Sequence, residues 1–217
     1  MIFKKQAIRI TVVLLILFCC NVSVRGAESE YRSLFKLQYY PVIHDADIVG
    51  LYVKVEERFR SGDRVYSKQV YGLPVRIVNG LSVMVFYANK YLMENEKQKK
   101  SIYGFDVNMK AVTKMFLLKD RIRTEYHETD SFNRFRNAVE AGIKIPYVTM
   151  LSLFTGYEFR YDSDQERINV NDILWGIRIK PSQYISFRLY YDDEFNRRNK
   201  SYWERTNAFG FQVSVAL

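Results

Sequence analysis

The chain has 217 residues, with 17 Tyr, 15 Phe and two Cys, and its 33 Lys or Arg outnumber its 24 Asp or Glu. Four of the basic residues and both cysteines fall within the first 26 positions, so the rest carries a mild excess near +5 and no thiol. That remainder has no dense basic run of the kind nucleic-acid binding needs, and it excludes disulfides and thiol chemistry.

Lys4, Lys5 and Arg9 lead into an apolar run over residues 10–20, the form of a signal-peptide core. Val24 and Gly26 put small residues at the −3 and −1 positions, which predicts a signal peptide over 1–26 with cleavage before Ala27. The run falls short of the ~20 apolar residues that span a bilayer. Phe18 is too bulky beside Cys19 for a lipoprotein processing site. No later stretch is long and apolar enough for a transmembrane helix.

Residues 27–47 form an N-terminal segment whose placement the pattern leaves open. From residue 48 onward, side chains alternate with the period of two that marks strands. Residues 48–60 put Val49, Leu51, Val53, Val55 and Phe59 on one face and Lys54, Glu56, Arg58 and Arg60 on the other. After Ser61-Gly62-Asp63, residues 65–78 turn Tyr71, Leu73, Val75 and Ile77 outward, and Asn79-Gly80 is a strong hairpin signal. Residues 81–92 return with Val83, Val85 and Tyr87. A polar loop over 94–101 precedes Tyr103, Phe105, Val107 and Met109, and a turn near 112–114 leads into 115–127. Phe135, Val139 and Ile143 mark the next strand, then Leu153, Tyr157 and Phe159, then Ile173, Trp175 and Ile177. Pro181-Ser182-Gln183 turns the chain into Phe187, Leu189 and Tyr191, and a polar loop over 195–202 precedes the last strand. In that strand Phe209, Phe211, Val213, Val215 and Leu217 share a face.

Ten strands of about ten residues or more, joined alternately by tight turns and longer polar loops, predict an all-β, antiparallel up-and-down transmembrane barrel over 48–217, with twelve strands as the alternative. Both ends of that barrel then face the periplasm, and the apolar closing strand is the expected contact for the barrel-assembly machinery. Residues 31–43 read as an eleventh strand, a periplasmic segment or a piece folded into the lumen. As a strand they call for a partner that keeps the number even, and none is evident. Simple alternation points Asp120 at lipid, so a bulge near Leu118-Lys119 is expected to turn it inward.

The inward face is strongly basic. Its predicted pore-lining set is Arg58, Arg76, Lys119, Arg121, Arg123, Glu125, Arg134, Arg136, Glu140, Glu158, Arg160, Arg178 and Arg188. One reading is a positively charged passage for small anionic solutes, because fixed charge in a narrow tube selects by sign. The other is a lumen filled by ion-paired struts, since barrels of about eight strands hold only side chains and wide channels appear near sixteen.

Lys119-Asp120-Arg121-Ile122-Arg123-Thr124-Glu125-Tyr126, followed by Arg134-Phe135-Arg136-Asn137 and by Trp175-Gly176-Ile177, resembles an uncharacterised family of bacterial outer-membrane barrels. Over roughly 48–217 the resemblance implies a porin-like barrel in the outer membrane, and it brings no established activity. A weaker likeness, at Tyr157-Glu158-Phe159-Arg160-Tyr161-Asp162, is to small porins for acidic oligosaccharides, whose twelve strands differ from the ten read here.

No catalytic signature, cofactor motif or metal-ligand spacing appears. His127, with Glu125, Asp130 and Ser131 close in sequence, is the nearest thing to hydrolase chemistry and is ordinary at a polar strand end. His44-Asp45-Ala46-Asp47 reads as a turn. Tyr52, Tyr91, Tyr103, Tyr161, Tyr191 and Trp203 are expected in an interfacial belt. Lys and Arg in the 94–101 and 195–202 loops suit lipopolysaccharide phosphates or a surface partner.

Overall fold

The computed structural model describes residues 30–39, 49–93, 98–146, 148, 150–197 and 203–216. The predicted signal peptide, the His44–Asp47 turn and parts of two polar loops lie outside them. Eleven strands close into one barrel: β1 (Glu30–Tyr39), β2 (Leu51–Arg60), β3 (Asp63–Val78), β4 (Leu81–Leu92), β5 (Gln98–Val112), β6 (Phe116–His127), β7 (Phe132–Lys144), β8 (Leu151–Asp162), β9 (Arg167–Ile179), β10 (Ile185–Arg197) and β11 (Trp203–Ala216).

The ten strands read from residue 48 onward all form, and the unplaced segment supplies an eleventh. β1 alternates like the rest, with Tyr31, Phe35 and Leu37 on one face and Arg32 and Lys36 on the other. It lies antiparallel to β2 and parallel to β11, with Glu30 opposite Ala208 and Gln38 opposite Ala216. No further strand is needed for an odd number, because one parallel ladder closes the ring, at slightly less stability per residue than an antiparallel one. This also corrects the expectation that the wall starts and finishes at one rim. β1 starts on the side of the longer loops and runs down beside β11 toward the tight turns.

Consecutive strands pair as antiparallel neighbours, and alternation then separates the two faces of the wall. Outward positions carry exposed Leu51, Leu73, Val85, Phe105, Leu118, Leu153, Trp175, Leu189 and Phe209. The hairpin at Asn79-Gly80 is as read, with Gly80 at φ 87°, a conformation glycine adopts without a Cβ penalty. The connection between β8 and β9 is only residues 163–166, because β9 already begins at Arg167.

Register shifts occur at Arg58/Phe59, Arg76/Val78 and Arg160/Tyr161. None lies beside Asp120, so the expected bulge is absent. Asp120 stays opposite Met109 and Val139 on the outer face, and its Oδ1 accepts a 2.8 Å hydrogen bond from Asn137 Nδ2. A local polar partner, and not a change of register, accommodates the carboxylate.

Inside, an apolar cluster of Tyr52, Val70, Met84, Phe86, Ala88 and Ile102 coats the wall from β2 to β5. Three inward aromatics are each flanked across the ladders by glycines. Phe86 lies between Gly72 and Gly104, Phe154 between Gly142 and Gly176, and Tyr190 between Gly176 and Gly210. A methyl added at Gly104 would run into the Phe86 ring and one at Gly210 into the Tyr190 ring, so the bare backbone is what lets these rings lie against the wall. Tyr52 belongs to this interior. It follows the outward Leu51 and is 8 % exposed, which removes it from the predicted interfacial belt.

Candidate functional site: a basic chamber inside the barrel

Because alternation sends one side chain in two into the barrel, eleven strands rich in Arg and Glu build a charged interior. It encloses a cavity of about 600 Å³ lined by thirteen Lys or Arg and seven Asp or Glu side chains. Of the predicted lining residues, Arg58, Arg121, Arg123, Glu125, Arg134, Arg136, Glu158, Arg160 and Arg188 face this cavity. Lys119, Glu140 and Arg178 are inward but lie beyond its lining, and Arg76 is exposed at the turn end of β3.

With cations in excess, single carboxylates are shared. Glu125 takes Lys68 (3.4 Å), Arg123 (3.3 Å), Arg136 (3.2 Å) and the His127 ring (3.3 Å). Glu158 takes Arg121 (2.8 Å), Arg136 (2.5 Å) and Arg160 (2.8 Å), and Arg160 also reaches Asp172. Glu194 on β10 meets Arg32 from β1 (3.0 Å) and Arg58 from β2 (3.4 Å), and Arg32 is also paired with Asp192. Five of these pairs, Lys68–Glu125, Arg121–Glu158, Arg32–Glu194, Arg58–Glu194 and Arg32–Asp192, join strands that share no ladder, and the others lie within a strand or across one ladder. Side chains held between two or three partners act as fixed charges instead of sweeping the cavity.

Toward the tight turns, Glu140 of β7 gathers Lys119 of β6 (2.9 Å), Arg178 of β9 (2.5 Å) and Arg188 of β10 (2.6 Å). The Arg188 and Arg178 guanidiniums lie 4.1 and 5.2 Å from the centre of the Phe154 ring. This cluster ties β6, β7, β9 and β10 together on the turn side of the chamber, whose lining includes Arg188.

Several lining residues escaped the sequence reading. Arg32 and Lys36 lay in the unplaced segment, although their alternation with Tyr31, Phe35 and Leu37 carried the signal. Lys90 shares parity with the inward Phe86 and Ala88, while Asp172 and Glu194 sat at strand ends trimmed too short or read as loop borders.

Of the residues of the hydrolase idea only Glu125 and His127 meet, at 3.3 Å, and Asp130 and Ser131 are engaged elsewhere. His127 stacks on Phe132 with ring centres 4.4 Å apart, and Asp130 holds Lys100 at 2.7 Å. The Ser131 hydroxyl donates to the Glu128 carbonyl at 3.4 Å. Among the described residues no group of three His, Cys, Asp or Glu is placed to hold a metal ion.

No family model matches the sequence, so the likeness to uncharacterised outer-membrane barrels rests on strand style alone. No curated protein matches it either. Among solved structures, a chain from work on the mechanism behind in-meso crystallization of membrane proteins aligns with a TM-score of 0.40 and 10 % identity. The alignment covers 82 % of this chain and 79 % of that one.

Proposed function

We propose that this chain is a bacterial outer-membrane barrel that acts as a small porin-like passage, its basic lumen favouring anionic solutes. The observation that carries the reading is the chamber of about 600 Å³ with thirteen cationic and seven anionic lining residues. A fixed positive excess in a narrow tube attracts anions and repels cations. An apolar outer face on a closed wall, with no free sheet edge and a wet interior, is the arrangement a lipid bilayer requires of strands. In this reading lipid and lipopolysaccharide surround the wall, the signal peptide takes the chain through the inner membrane, and the C-terminal strand presents it to the assembly machinery.

Eleven strands lie between barrels filled by side chains and those with wide water channels. The Glu140 cluster places ion-paired side chains in the lumen toward the turn end, so passage is confined to small ions and solutes. The test is single-channel recording from the refolded protein in a planar bilayer, with selectivity from the reversal potential. Discrete anion-selective steps that lose selectivity when Arg58 and Arg136 are changed to Gln support a pore. A folded barrel that passes no current removes it.

A further inference from the structure

Eleven of the thirteen cations lining the chamber have a carboxylate oxygen within 4 Å; among the described residues, Lys36 and Lys90 do not. The surroundings of Lys36 make this informative. It points inward from β1 between Lys54 and Ser214 on the neighbouring strands, with its ammonium 5.2 Å from the centre of the Tyr52 ring. The charges that act on it most strongly are Lys119, Arg121, Lys54 and Arg188, all of its own sign. Arg121 gives Nη2 to Glu158, and Arg188 gives its two terminal nitrogens to Gln212 and Glu140. The Nε of each is left with no hydrogen-bond partner. Gln212 donates to Ser214 at 2.7 Å along the same wall, which adds neutral polar groups beside Lys36.

Three cationic side chains thus line one chamber, Lys36 and Arg188 from β1 and β10 on either side of β11 and Arg121 from β6 across the ring, with donors to spare. Their mutual repulsion in a confined space is relieved by an anion at their centre. We infer that Lys36, Arg121 and Arg188 form a seat for one oxyanion, the phosphate or carboxylate group of a small solute. Two guanidiniums and an ammonium suit such a group, since each supplies a charge-assisted hydrogen bond. The seat rests on the proposed function and deepens it, giving the passage a defined stopping point beside the Glu140 cluster, with which it shares Arg188.

The test is equilibrium dialysis of the full refolded barrel in detergent micelles, against radiolabelled inorganic phosphate in one arm and acetate in the other. One equivalent binds the parent, and the tighter of the two anions identifies the class of solute. Lys36→Met and Lys36→Gln each weaken that binding about tenfold or more, as loss of one charge-assisted contact does. Lys99→Met, which removes the same charge from the outer face of β5, changes it less than twofold. Migration of unheated samples on gels confirms that each variant is folded. Binding of neither anion by the parent, or equal binding by the parent and a folded Lys36 variant, overturns the seat. Intact Lys36-dependent binding in a barrel silent in bilayers overturns the porin reading and leaves the seat standing.

Discussion

Arg123 grips Asp106 across the β5–β6 ladder with two parallel hydrogen bonds, Nε to Oδ1 at 2.5 Å and Nη2 to Oδ2 at 2.6 Å. The guanidinium also lies 4.2 Å from the centre of the Phe86 ring, and both charged side chains are almost fully buried. Removing one partner leaves an uncompensated buried charge, at a cost of about 3–5 kcal/mol, whereas removing both is close to neutral. Arg123→Met is therefore expected to lower the urea midpoint of the barrel in lipid vesicles markedly. The Asp106→Leu/Arg123→Met pair is expected to recover most of the loss.

Glu140 is the single acid shared by Lys119, Arg178 and Arg188. Glu140→Gln takes the shared carboxylate from three cations on the turn side of the chamber. In bilayer recordings the variant is expected to be more anion-selective than the parent, with a reversal potential displaced further toward that of chloride. An unchanged or cation-shifted potential contradicts this placement of the cluster.

At Gly104, a Cβ would meet the Phe86 ring and also the Thr124 carbonyl oxygen at 2.7 Å. The side chain has room to rotate only by leaving its place beneath Arg123, and the carbonyl belongs to the ladder. Gly104→Ala is expected to destabilise by about 1–3 kcal/mol, the usual range for overpacking. Gly62, whose added Cβ would meet nothing within 4 Å but which holds φ 91°, provides the contrast. Alanine there strains only the turn, and the denaturation midpoint separates the two variants.

Asp120 and Asn137 form a polar pair on the outer face, beside Met109, Ile122 and Val139. In the proposed outer-membrane setting a lipid-facing carboxylate costs less than a lipid-facing Arg or Lys but still of order 1–2 kcal/mol. The double change Asp120→Leu/Asn137→Leu is expected to raise stability in vesicles by about that amount. A loss of stability would mark the pair as a contact with another chain and not as an exposed liability.

Much of this architecture was readable because the strands of a closed barrel repeat one simple alternation. Trp175, Ile177 and Ile179 on one parity and Gly176 and Arg178 on the other are enough to orient β9. Legibility failed where a residue's role depends on a strand remote in sequence. Nothing near Tyr31 says that Arg32 meets Asp192, 160 positions away, or that β1 lies parallel to β11. Asp120 failed for the opposite reason. Its partner Asn137 was in plain view, but alternation alone gives a face and not the hydrogen bond that makes the face tolerable. For the chamber, the sequence conveyed the sign of the charge. Which cations lack a carboxylate depended on how seven acids are shared among eleven strands.

The parallel seam between β1 and β11 also limits how this barrel can be rewired. In an all-antiparallel ring the first and last strands meet at one rim, and a short peptide can join them to give a circular permutant. Here Ala216 lies eight residues further along the seam than Ala208, the partner of Glu30. A peptide returning from Ala216 to Glu30 has to cover about 27 Å at the rise of an extended chain. Outside the wall, in the proposed outer-membrane setting, its backbone amides would face hydrocarbon without partners. Inside, it would thread the chamber and compete with Lys36 and Arg32 for space. A permutant opened at Ser61-Gly62 and closed by a two- or three-residue link is therefore expected not to form this ring, although every one of its strands would be intact.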